Sequence, residues 1–226
     1  MPVVLSVVIP ALNAATELGA TLDALGDGPS GGLEVVVSDG GSADATGELA
    51  LQRGARVVSA TGGRGAQLVA GADAATGAWL LFLHADTVLE AGWVGSVEAF
   101  VGAPENQMRA GYFRFALDDD ASRARRLESV VAWRSRRLGL AYGDQGLLMG
   151  RSFYDQLGGY ARQPLMEDVS LVRRIGRGRL VALAPRAVTS STRYHAGYTR
   201  RSLRNLFCLA LYYLGVRPAL IAQLYG

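Results

Sequence analysis

Leu33-Glu34-Val35-Val36-Val37-Ser38, running straight into Asp39-Gly40-Gly41-Ser42-Ala43-Asp44, is the stretch on which the fold turns. An apolar run that breaks off into small and acidic residues predicts a buried strand ending in a polar loop. The pattern recurs on both sides of it. Leu5 to Pro10 predicts an earlier strand, which ends in Pro10-Ala11-Leu12-Asn13. Trp79 to His84 predicts a later one, which ends in His84-Ala85-Asp86, and Arg56 to Ser59 a short one between them. Helical patterns over Glu17 to Leu25, Ala45 to Arg53 and Arg64 to Ala74 separate these strands. Strands apolar on both faces with helices between them imply an α/β fold with a mostly parallel central sheet and helices on both faces. Such sheets bind ligands at the carboxyl ends of their strands.

Three polar clusters therefore fall where chemistry is expected. Each also has a structural reading: Asn13 as the cap of the first helix, Ser42 or Asp44 as the cap of the second, His84 and Asp86 as the closing residues of a buried strand. Their joint placement favours a site. A dinucleotide fingerprint needs a glycine-rich turn after the first strand. Pro10 to Glu17 contains no glycine, which argues against a nicotinamide enzyme. A phosphate-loop Lys is excluded because the chain has no Lys. Gly62-Gly63-Arg64-Gly65 opens a helix, and reads either as a phosphate cradle of backbone N–H groups or as a flexible turn.

The second half is less regular. Gln107 to Leu117, Leu147 to Met149 and Leu180 to Ala184 read as strands; Ala121 to Leu138, Glu167 to Arg177 and Arg201 to Leu214 read as helices. With no repeat or low-complexity linker, the 226 residues are expected to form one domain: a nucleotide-binding half over 1–113, an acceptor and catalytic half over 114–200, and an apolar helical segment over 201–226. Half the residues are hydrophobic, enough for a sizeable core. The lone Cys208 excludes an internal disulfide and a multi-cysteine zinc site. With no signal-peptide pattern at the start, a cytoplasmic protein is expected. Residues 1–113 carry four Arg against twelve acidic residues, and residues 114–226 nineteen Arg against eight. A basic half suits phosphates, an anionic acceptor or an anionic membrane surface. Nothing points to nucleic acid.

These motifs resemble family 2 glycosyltransferases of the GT-A fold, and most closely a short bacterial branch without a long membrane tail. The resemblance covers nearly the whole chain. The family's nucleotide motif, Asp-Asp-Gly-Ser-x-Asp, is matched by Asp39 to Asp44, with Gly40 in place of the second Asp. Pro10 and Asn13 match the first-strand turn, with Ala11 beside them as a further donor-binding candidate, and Arg64 matches a basic position in the glycine-rich loop. The metal motif Asp-x-Asp reads His84-Ala85-Asp86. Asp86 is the implied ligand for Mn²⁺ or Mg²⁺. Neutral imidazole is a poor Mg²⁺ ligand but an acceptable one for Mn²⁺, so His84 has three readings, a metal ligand, a ribose contact or a strand-end residue, and the last two are favoured over ligation. The family's Glu-Asp pair is matched by Glu167-Asp168, with Asp168 as base and Glu167 orienting it or binding the acceptor. Gly143-Asp144-Gln145-Gly146 matches a loop near the acceptor, which makes Asp144 and Gln145 acceptor-side candidates.

The resemblance implies transfer of a sugar from a nucleotide-diphosphate donor, with uridine as the leaning, to an acceptor hydroxyl. A divalent ion on Asp86 would neutralise charge on the leaving diphosphate, with Arg64 and Arg193 as clamps. One base on the acceptor side implies inversion. Two other classes stay open: a binding or scaffold protein on a degenerate GT-A fold, and a nucleotidyltransferase, whose glycine-rich first-strand signature is missing. Leu206 to Val216, flanked by Arg200, Arg201, Arg204 and Arg217, is too short to span a bilayer, which takes about 20 apolar residues. Its readings are core packing, a subunit contact, or a peripheral place on the inner face of an anionic membrane. The last would suit a lipid or carotenoid acceptor.

Overall fold

The computed structural model describes residues 5–30, 32–194 and 198–225, and of these all side chains but those of 193, 194, 199–201 and 225. Its strands are β1 (Leu5–Ala11), β2 (Leu33–Asp39), β3 (Arg56–Ser59), β4 (Trp79–Phe82), β5 (Thr87–Leu89), β6 (Ala110–Leu117), β7 (Leu147–Gly150) and β8 (Leu180–Thr189). Its helices are α1 (Ala15–Leu25), α2 (Thr46–Gln52), α3 (Arg64–Ala74), α4 (Trp93–Gly102), α5 (Ser122–Leu138), α6 (Arg151–Gln156), α7 (Glu167–Ile175), α8 (Tyr198–Tyr213) and α9 (Pro218–Tyr225). Every residue of β1 is buried. Leu5, Val7, Ile9 and Ala11 face one core and Val8 another, the alternation of a pleated strand with both sides covered. The first core takes Leu18 and Leu22 of α1 and Trp93 and Phe100 of α4; the second takes Leu68 and Ala72 of α3 and Leu171 and Val172 of α7. Gly71 lets α3 press onto the sheet, since a β-carbon there would stand 2.4 Å from Val8 Cγ1.

The eight strands form one sheet in the order β3-β2-β1-β4-β7-β6-β8-β5. β3, β2, β1 and β4 are mutually parallel, β7 is antiparallel to β4 and β6, and β8 is parallel to β6. The chain winds from β1 outward to β3, then returns to place β4 on β1's other side. That reversal opens a crevice at the carboxyl ends of β1 and β4.

The expected strands and helices are present, with four additions and several moved ends. β5, α4, α6 and α9 were not expected. The strand expected over Trp79 to His84 ends at Phe82, and His84 already belongs to the turn into β5. Gln107 lies outside β6, and Gly176 in a left-handed conformation (φ 78°) stops α7 two residues before Arg177. β8 continues well past Ala184. Pro185 sits in a register shift opposite Tyr112 to Arg114, where the ladder does not need its missing N–H.

Candidate active site

At the crevice the loops after β1 and β2 lock together. The Asn13 N–H donates to Ser42 Oγ at 2.9 Å, and Asn13 Oδ1 accepts from the Ala43 N–H at 2.8 Å. Asn13 thus clamps the neighbouring loop and makes no side-chain cap for α1, its own φ of 49° being one that Asn tolerates. Asp44 ties the start of α1 to α2, accepting from the Ala15 N–H (3.1 Å) and the Thr46 N–H (3.1 Å). Asp39 Oδ1 holds the Ser42 N–H and hydroxyl at 3.0 and 2.6 Å, which leaves Oδ2 for a ligand. Pro10 and Ala11 are buried, so they line the crevice by backbone.

Gly40 has a physical reason. Gln67 of α3, buried, donates its amide to Ala11 O (2.6 Å) and Ser38 O (3.1 Å), and a β-carbon at residue 40 would lie 2.6 Å from that nitrogen. The side chain missing at 40 is replaced by one arriving from α3. Gln67 was not among the sequence candidates.

The turn from β4 to β5 carries His84, Ala85 and Asp86. Ala85 O accepts from Thr21 Oγ1, and Asp86 O from the Ser190 N–H at 3.1 Å. β8 therefore fixes this turn from the far side, helped by Thr87 and Thr189, whose hydroxyls meet at 3.0 Å. Asp86 is largely buried. Among the described residues no three His, Cys, Asp or Glu side chains gather to hold a metal unaided. A single hard carboxylate fits Mg²⁺ or Mn²⁺ differently: such ions commonly take one or two carboxylates and complete their shell with substrate phosphates and water. The donor set at Asp86 fits a cation that arrives with a diphosphate.

Asp168 stands in the first turn of α7. Its Oδ1 accepts from the Val169 N–H at 2.7 Å and its Oδ2 from the Gly143 N–H at 3.1 Å. His84 reaches the same spot: a β-carbon on Gly143 would stand 2.7 Å from His84 Nε2 and 3.6 Å from Asp168 Oδ2. The loop holding His84, the loop of Gly143 and the head of α7 thus meet around one carboxylate. Its neighbour Glu167 faces inward, 0% exposed, and pairs with Arg64 Nε at the start of α3. Burial pushes the Glu167 carboxyl above its usual range, with Arg64 opposing and Asp168 adding to the shift. The glycine-rich loop is packed, not merely flexible: Gly65 lies against the backbone of Ala161 and Gln163 just ahead of α7.

Asp144 sits under α5. Its Oδ1 is shut off from solvent, 3.9 Å from Arg134 Nη2, although about a quarter of the side chain (27%) is exposed. Burial raises its carboxyl above the ordinary range, and Arg134 pulls against it. Arg134 also stacks on Tyr142 at 4.3 Å. Arg134 and Tyr142 were missed from sequence; the signal available was the spacing of Ala124, Val131 and Ser135, which sets the inward face of α5. Gln145 is buried, donating to Phe113 O and accepting from Ser135 Oγ. The Arg193 side chain, like those of Arg200 and Arg201, lies outside the described residues.

Known proteins with similar sequences or structures point one way. The sequence profile of glycosyl transferase family 2 matches residues 6–165. Mycobacterium bovis and Mycobacterium tuberculosis proteins described as PGL/p-HBAD biosynthesis glycosyltransferases are 40% identical to this chain over 108 residues, which is 44% of this chain and 42% of theirs. The match thus spans less than half the length of those relatives. Among solved structures, S. aureus TarS superposes with a TM-score of 0.64 at 16% identity, covering 83% of this chain and 60% of that one. Glucosyl-3-phosphoglycerate synthase from Mycobacterium tuberculosis, crystallised with Mn²⁺, uridine diphosphate and glucosyl-3-phosphoglycerate, gives 0.57 at 21% identity over 81% and 70% of the two chains. At those identities the likeness is one of fold.

Proposed function

The chain belongs to glycosyl transferase family 2 and has the GT-A fold, and from that premise we propose that it moves a sugar from a uridine-diphosphate donor to an acceptor hydroxyl with inversion at the anomeric carbon. The observation that carries the reading is the setting of Asp168. Two backbone N–H groups hold its carboxylate beside His84 and Gly143. Uridine diphosphate and Mn²⁺ in the glucosyl-3-phosphoglycerate synthase structure support the choice of donor and cation.

Asp39 and the backbone at Pro10 and Ala11 take the nucleoside. Asp86 would hold a divalent cation, which would supply charge to neutralise the leaving diphosphate. Arg64 adds a guanidinium on the same side and is itself fixed by Glu167. Asp168 accepts the acceptor's proton as its oxygen attacks the anomeric carbon from the face opposite the leaving group. Glu167, with no exposed surface, positions Arg64 and the head of α7 and does not touch the acceptor. Asp144 and Arg134 border the acceptor side.

Asp168→Asn tests the proposal, since it keeps the shape and removes the proton acceptor. Turnover is expected to fall by roughly 10² to 10⁴, with donor affinity by calorimetry nearly unchanged. Turnover at the native rate, or a product that retains the donor's anomeric configuration by NMR, overturns it.

A further inference from the structure

No acidic side chain follows Asp168 in this sequence. Residues 169–226 contain ten Arg and neither Asp nor Glu. Within this stretch α8 and α9 turn one side inward, where Cys208 and Ile221 pack with Met166 and Val169 on either side of the Asp168 turn. Their other side is apolar and open. Leu203, Leu206, Phe207, Leu214, Leu220 and Leu224 are all exposed, Leu206 to 62% and Leu214 to 80%. Along α8, residues 203, 206, 210 and 213 recur at three- and four-residue steps and form a single stripe, which Leu214 extends into the turn that follows. Exposed leucines scattered singly need no explanation, but a continuous stripe marks a binding surface.

A second such face lies on α5. Its exposed side reads Arg126, Val130, Trp133, Arg137 at helical spacing, with Trp133 57% exposed. Both helices border the Asp168 side of the molecule. Tyr198, the first residue of α8, packs on Ala124 and Val131 of α5. Arg134 of α5 covers Tyr142, which packs in the same cluster as α8 and α9.

We propose that this arginine-fringed apolar face seats on an anionic bilayer, with the α8 stripe in the boundary between headgroups and acyl chains. Leucine and phenylalanine suit that boundary, and arginines at its edge suit lipid phosphates. A basic segment with no carboxylate meets no repulsion from an anionic surface. Nucleic acid would engage the arginines and leave the leucine stripe in water. The geometry is that of lying on a membrane, because no helix among the described residues is long and apolar enough to cross one. Asp168 then stands about one helix diameter, ~10 Å, from the lipid surface.

The test is co-sedimentation of the full chain with vesicles, followed by light scattering; neither readout depends on sugar transfer. Vesicles of phosphatidylglycerol and phosphatidylcholine are expected to bind the protein, vesicles of phosphatidylcholine alone to bind it far less, and added salt to weaken the first. Leu206→Ser with Phe207→Ser alters only exposed side chains, so an unchanged thermal melt is expected beside a loss of vesicle affinity of about tenfold or more. Arg217→Gln should weaken binding to the anionic vesicles by roughly fivefold. Absence of binding to the anionic vesicles, or equal binding by the native and double-variant proteins, overturns the proposal. So does a native dimer that the double variant converts to monomer without any vesicle binding, which would assign the face to a second copy of the chain.

Discussion

A β-carbon on Gly65 would stand 2.4 Å from Ala161 O and 2.5 Å from Gln163 O, both backbone atoms that cannot swing away. Gly65→Ala is therefore expected to cost about 1–3 kcal/mol through overpacking, a fall in melting temperature of roughly 2–12 °C for a chain this size. Gly95 of α4 supplies the contrast, with nothing within 4 Å of its would-be β-carbon. Gly95→Ala should raise the melting temperature, because a helix-interior Gly costs about 0.5–1 kcal/mol relative to Ala. Equal melts for the two variants would mean that the glycine-rich loop is not packed as described. The second residue-scale prediction concerns Asp86. If it is the protein's ligand for the cation, Asp86→Ala should bind a uridine-diphosphate sugar weakly and with equal affinity in Mn²⁺ and in chelator. Native donor affinity in that variant, or a remaining response to metal, removes the assignment. Asp39 and Asp86 were legible as site candidates because each follows an apolar run at a strand end, whereas Asp168 was singled out only through the resemblance of Glu167-Asp168 to the family's acidic pair. Gln67 and Arg134 were not, because each points inward from a helix whose polar pattern reads as a solvated face; only the packing phase separates them from their neighbours.

Helices α3 and α7 are joined at their first residues by Arg64 and Glu167, 103 positions apart in sequence. One helix opens behind the glycine-rich loop and the other carries Asp168, so the pair sets their relative position. It also leaves a titration signature. Glu167's folded pKa lies above its ordinary 4.5, chiefly through burial. The folded state therefore holds this proton more tightly than the unfolded chain does, and stability falls as pH rises from about 4.5 through the folded value. Every tenfold difference in proton affinity between the two states is worth about 1.4 kcal/mol. Urea unfolding across that window should show the native protein losing stability relative to Glu167→Gln, which has no proton to release. Parallel curves for the two proteins would contradict the raised pKa. The elements themselves were readable to differing degrees. Buried runs such as Leu5 to Pro10 announced their strands. β5 is three residues long, too short to give a period, and Pro185 made β8 look finished at Ala184 although the register shift opposite it accommodates the ring.

Across the whole molecule the crevice at β1 and β4 and the helix that carries Asp168 are built on one sheet, so ligand binding should stabilise all of it together. With a uridine-diphosphate sugar and Mn²⁺ at about 100 times the dissociation constant, the native state gains about 2.7 kcal/mol, or roughly 5–10 °C in melting temperature. Scanning a panel of nucleotide sugars would identify the donor by the largest rise; no rise with any uridine, guanosine, adenosine or thymidine diphosphate sugar would contradict donor binding. The sheet's connectivity has another consequence. β4 waits for its antiparallel neighbour β7, which begins only at Leu147, and the Asp86 turn is closed by Thr189 and Ser190, the threonine hydroxyls meeting across 102 positions. During synthesis the first three strands can pair as they leave the ribosome. The Asp86 turn stays open until β8 and Ser190 have emerged, so a nascent chain halted short of β8 holds a half-built crevice whose Asp86 turn lacks its far wall.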